Sequence, residues 1–137
     1  MLYRELKSYK FELAQTYQIQ TEIFPEKQII ESYVGLGVDG LLTIFNGFKI
    51  DGVTHSITTS NVMRAAFVHD ALYYLHRKGS LNISYRPKVD LLFYNILLQE
   101  GTAKFRSWYM YQAVKNFGEK YALPTTEKDE NEKIFRV

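Results

Sequence analysis

The feature that most constrains this chain is a change of hydrophobic period near residue 60. Before it, apolar residues alternate. In YKFELAQTYQIQTEI, residues 9–23, the odd positions are Tyr9, Phe11, Leu13, Gln15, Tyr17, Ile19, Thr21 and Ile23, while the even ones are mostly Lys, Glu, Gln and Thr. Period-two alternation turns one face to a core and the other to water. The segment predicts one long strand bulged near Ala14 to Thr16, or two strands in succession, because Gln15 interrupts the apolar face. Pro25 ends it.

Three turn dipeptides follow: Asp39-Gly40, Asn46-Gly47 and Asp51-Gly52. Asn-Gly favours a hairpin turn because both residues tolerate positive φ. LLTIF-NG-FKID therefore reads as a hairpin, with IIESYVGLG before it as a further strand of the same sheet. The first part of the chain is expected to be a small antiparallel β-meander of three to four strands.

From Ser60 the pattern is helical. TSNVMRAAFVHDALYYLHRKG has an uncharged polar start and Gly79 as a stop. RPKVDLLFYNILLQEG places Pro87 in the first turn and Gly101 just past the end. A third helix is expected from about Lys104 to Lys120, weakened at Gly118. The fold class is thus α+β, a small meander followed by three α-helices. At 137 residues the expected organisation is a single domain over 1–124 with a charged arm, TTEKDENEKIFRV, over 125–137, whose Ile134 and Phe135 could dock on a neighbour.

Composition narrows function mainly by exclusion. With no Cys, disulfides, thiolate nucleophiles and Cys-ligated zinc are ruled out. A formal net charge of +2 gives no argument for nucleic acid. MLYRELKSYKFEL contains no apolar signal core, and no segment approaches the roughly 20 apolar residues of a membrane helix. The expectation is a soluble protein made in a cytoplasm.

The helix AAFVHDALYYL sets two ionisable residues, His69 and Asp70, inside an apolar run. Burying an unpaired charge is costly. His69 shares a helical face with Leu72, Tyr73 and His76, and on the next helix Arg86 and Asp90 share another. Consecutive helices joined by a short loop often pack antiparallel, which would bring Asp90 to His69. A carboxylate on one imidazole nitrogen leaves the other free as a base. The same set serves equally as a buried polar network tying the helices together. Asp51 reads either as a ligand or partner of His69, or as an ordinary turn residue before Gly52. Arg86 with Asp90 reads first as an (i, i+4) pair, and His55 and His76 as surface or seam residues. Trp108, Tyr109 and Tyr111 read as core or as a subunit interface. His69 and His76 are seven apart, too far along the helix to share a zinc ion.

The pattern H-D-x-x-Y at residues 69–73, followed by the helical Asp90, resembles the core of secreted phospholipases A₂ and of the phospholipase domains of small virus capsids. That resemblance implies a catalytic set of His69, Asp90 and Tyr73. His69 would activate water, Asp90 orient it and Tyr73 support the pair. Asp70, with Asp51 as a further candidate, would hold calcium. A glycine-rich loop would complete the calcium shell, and YVGLGVDG and KIDGVTHS are the two candidates. A second resemblance covers more of the chain. GFKIDGVTHS, AAFVHDALYYL, RPKVDLLFYNILLQEG and YQAVKNFG occur in the order seen in a family of tailed phages and prophages known only as a domain of unknown function (DUF1353). It implies a phage or prophage origin. The leading expectation is a virion-associated structural protein of tail, baseplate or neck, made in the host cytoplasm. Its partners would be other phage structural proteins or its own copies, with no nucleic acid. The competing expectation is a small hydrolase acting on lipid or cell envelope through the His-Asp dyad.

Overall fold

A computed structural model of the chain describes residues 1–7, 10–51 and 60–124. The chain divides into two compact units at about residue 53, strands in the first and helices in the second. The α+β class is as expected. The charged arm, Asp51's neighbour Gly52, and His55 lie outside the described residues.

Among its described residues the first unit contains seven short strands: β1 (Tyr3–Glu5), β2 (Lys10–Leu13), β3 (Tyr17–Gln20), β4 (Ile29–Ile30), β5 (Val34–Leu36), β6 (Leu41–Ile44) and β7 (Lys49–Asp51). They form two antiparallel sheets, ordered β1-β2-β7 and β3-β6-β5-β4, in place of the expected single meander. The alternating segment is two strands, one in each sheet, and it divides at Ala14–Thr16, where Gln15 breaks its apolar face. Phe11 and Leu13 are buried, as are Thr21 and Ile23.

The expected Asn46-Gly47 hairpin does not form, because β6 pairs with β3 and β5 while β7 pairs with β2. The turn itself is present: Phe48 N–H donates to the Phe45 carbonyl (3.2 Å) and Gly47 has φ +98°. What it does is carry the chain from one sheet to the other, beside the break at Ala14–Thr16. Asn46 N–H donates to Thr16 Oγ1 (3.1 Å), Leu13 N–H to the Phe48 carbonyl (2.8 Å) and Gly47 N–H to the Leu13 carbonyl (2.8 Å). Register runs unchanged through the break. Lys10 faces Asp51 and Gln20 faces Leu41, ten positions on in one segment and ten back in the other. Two long partners have therefore bent together, and a one-residue slip would turn every buried side chain outward.

The second unit holds α1 (Ser60–Arg77), a 3₁₀ turn (Ile83–Tyr85), α2 (Arg86–Gln99), α3 (Lys104–Phe117) and α4 (Glu119–Ala122). Gly79 (φ +73°) and Gly101 (φ +84°) end α1 and α2 in the left-handed conformation that costs glycine little. Asn82 Oδ1 accepts from Ser84 N–H (2.9 Å), and Pro87 sits in the first turn of α2. The third helix stops at Phe117, earlier than expected, and Gly118 separates it from α4. Twelve of the eighteen residues of α1 are buried; it is the central helix of its unit, so its polar side chains must be satisfied inside.

Candidate functional site

Helices α1 and α2 run antiparallel. Arg64 near the start of α1 meets Gln99 and Glu100 at the end of α2 (3.3 and 3.4 Å), and Thr102 Oγ1 reaches the Asn61 carbonyl (3.4 Å). One and a half turns further along α1, the same packing sets His69 against Asp90.

Asp90 is 3 % exposed, and one of its oxygens receives two donors. His69 Nε2 lies 2.8 Å from Oδ1 and Tyr73 Oη lies 2.7 Å from it. A carboxylate only accepts, so the imidazole proton is on Nε2. Arg86 Nε donates to the Tyr73 oxygen (3.0 Å) and stands 3.8 Å from Asp90 Oδ2. The expected Arg86–Asp90 pair is thus the longest contact of the set. The guanidinium is aimed instead at the end of α3, where Nη2 donates to the carbonyls of Val114 (3.0 Å) and Lys115 (2.9 Å). Both belong to the last turn of α3, where helix carbonyls run short of backbone donors; that of Val114 also accepts from Gly118 N–H (2.9 Å). Four side chains thereby connect three helices.

The network holds Tyr73 protonated. Burial pushes its phenol up, and the bond to Asp90 adds to this, so it stays a donor. The His69 ring lies between Tyr73 (centroids 4.1 Å apart) and Phe93 (4.9 Å). Its other nitrogen, Nδ1, bonds no described residue. The His69 side chain as a whole is 9 % exposed.

The structure brings His69, Tyr73 and Asp90 together. Asp70, one step round α1, is half-buried. Asp51 is exposed at the end of β7 in the first unit, opposite Lys10. Among the described residues no group of three or more His, Asp or Glu side chains could hold a metal ion. YVGLGVDG does not fit a calcium loop. Gly35 and Leu36 are strand residues of β5, and three of the four carbonyls that follow, at Gly37, Asp39 and Gly40, are already used within the unit. The Gly37 carbonyl accepts from Gly40, that of Asp39 from Gln20 (2.7 Å), and that of Gly40 from both Thr21 N–H (2.9 Å) and Thr21 Oγ1 (2.7 Å). Asp39 Oδ1 accepts from Leu41 N–H. These are the bonds of a β5–β6 turn. KIDGVTHS falls largely outside the described residues.

Two pairs of alternatives narrow. Of surface or seam, His76 is not at the surface: it is 2 % exposed, with Nδ1 3.0 Å from the Leu81 carbonyl. Trp108 and Tyr109 are not core; they are 51 % and 65 % exposed. One contributor was not visible in advance. A Cβ on Gly118 would fall 2.7 Å from Tyr73 Oη, so the end of α3 can rest on the site only because residue 118 has no side chain. Its place at the end of a helical run marked a stop, and nothing in the sequence marked the contact.

No curated protein and no solved structure matches the chain. The model of one family does, over residues 41–114, more than half of the 137 residues and including the whole His69–Tyr73–Asp90 set. The chain belongs to that family, whose description is "Protein of unknown function (DUF1353)".

Proposed function

We propose that His69 and Asp90 form the general-base dyad of a small hydrolase. The observation that carries this reading is the division of labour between the two imidazole nitrogens: Nε2 is fixed by Asp90 at 2.8 Å, and Nδ1 bonds no described residue. A water held at Nδ1 would pass a proton to the ring as its oxygen attacks an acyl carbon; the ester C–O bond then breaks, and the ring returns that proton to the departing alkoxide, leaving fatty acid and alcohol. Asp90 would stabilise the imidazolium so formed. Tyr73 shares the same carboxylate oxygen and keeps Asp90 from turning. The H-D-x-x-Y resemblance directs the choice of substrate to acyl esters of phospholipids, in a phage or prophage setting. The test is fatty-acid release from phospholipid vesicles by wild type, His69→Gln and Asp90→Asn, with circular dichroism to confirm folding. Loss of about a hundredfold or more is expected in both variants. A wild-type chain that releases nothing, with or without calcium, overturns the reading.

A second reading is favoured by Arg86, whose bonds extend the network to the end of α3. In it the constellation is a structural tie, and the protein is a virion component of tail, baseplate or neck, made in the host cytoplasm. Mass spectrometry of purified particles tests this, and absence of the chain from the particle would sink it.

A further inference from the structure

Helix α3 presents a face that no other described helix of its unit covers. Ser107 and Met110 are buried on its inner side, with Val114 half-buried beside them. At about 100° per residue, Phe105, Trp108 and Tyr109 project from the opposite side, 79 %, 51 % and 65 % exposed. Lys104 and Lys115 flank this stripe on one side and Arg106 on the other. Between Glu100 and Glu119 the sequence contains no acidic residue. The net charge of the whole chain conceals this local excess of cations.

We propose that this face of α3 docks on an anionic lipid surface. Aromatic side chains between basic flanks match the layering of a bilayer interface: rings settle at the headgroup boundary, and Lys and Arg stems lie along them with their charges outward. The absence of acids decides between occupants. A second copy would set cation against cation across the interface, which disfavours it, whereas acidic headgroups neutralise them. The inference rests on α3 alone and stands or falls separately from the dyad.

Trp108 is the only tryptophan of the chain, so the full-length protein carries its own reporter at the centre of the face. Its fluorescence is expected to shift to the blue on titration with phosphatidylglycerol vesicles and to stay unchanged with phosphatidylcholine vesicles. Lys104→Gln and Lys115→Gln should weaken partitioning by roughly fivefold each. Phe105→Ser with Tyr109→Ser should weaken it further, and all four positions are exposed enough for folding to survive. Equal partitioning onto both lipids, indifference to the lysine substitutions, or no shift and no co-sedimentation with either vesicle would overturn the proposal. So would a lipid-independent shift that grows with protein concentration, which would make the occupant a second copy.

Discussion

At Asp90 three side chains converge on one buried carboxylate, and the consequences of removing each differ. Asp90→Ala leaves His69, Tyr73 and Arg86 facing a void, and a destabilisation of about 3–5 kcal/mol is expected in urea unfolding. Tyr73→Phe removes a single bond from each side of the phenol and should cost about 1–3 kcal/mol. Equal effects for the two would show that the carboxylate is not the hub. His76 gives the pH dependence. Burial lowers its pKa below the usual 6.5, outweighing the bond to the Leu81 carbonyl and the nearby Asp90 charge, while His69 and Arg86 lower it further. The unfolded chain therefore binds a proton at higher pH than the folded one does. Stability is full above pH 6.5 and falls as the pH drops from there through the depressed folded value, with a slope of up to about 1.4 kcal/mol per pH unit. His76→Gln keeps a donor for Leu81 and should flatten the urea midpoint between pH 8 and pH 5. An unchanged profile would assign the loss to other groups.

Among the elements, two glycines separate backbone freedom from close approach. Gly101 (φ +84°) has nothing within 4 Å of where a Cβ would stand. Gly101→Ala should cost about 1 kcal/mol through φ alone and leave the site intact. Gly118 has φ −79°, which any residue adopts, yet its Cβ would meet Tyr73 Oη. Gly118→Ala should therefore lower Tm and, if the dyad turns over ester, lower that rate as well, whereas Gly101→Ala lowers Tm only. Paired melting curves and fatty-acid release from the two variants check this. The helices were legible because their limits are local: Pro87, Gly79 and Gly101 act within their own turns. The expected Asn46-Gly47 hairpin failed for the complementary reason. A turn dipeptide sets the bend, but the partners of the strands it joins are chosen elsewhere, here at the Gln15 break 31 residues before Asn46.

For the molecule as a whole, the calcium implied by the phospholipase resemblance can be addressed by linkage. A ligand that binds only the folded state raises Tm with its concentration. The described carboxylates form no such site, so millimolar calcium or EDTA is expected to leave Tm unchanged in differential scanning calorimetry. A rise of several degrees with calcium would place the ion's ligands outside the described residues. The sequence by itself determined the switch from strand to helix near residue 60, the extent of α1 and α2, and the meeting of His69 with Asp90. Each follows from hydrophobic period, end signals and the antiparallel packing that a short loop favours. Only the tertiary structure decided that the strands form two sheets in one register, that Arg86 turns from Asp90 to the carbonyls of α3, that His76 is interior, and that Trp108 and Tyr109 are outside. Those outcomes depend on which faces meet. Side-chain pattern fixes the face that an element can bury, while the neighbour that arrives, and the angle at which it arrives, are set by packing among segments far apart in the chain.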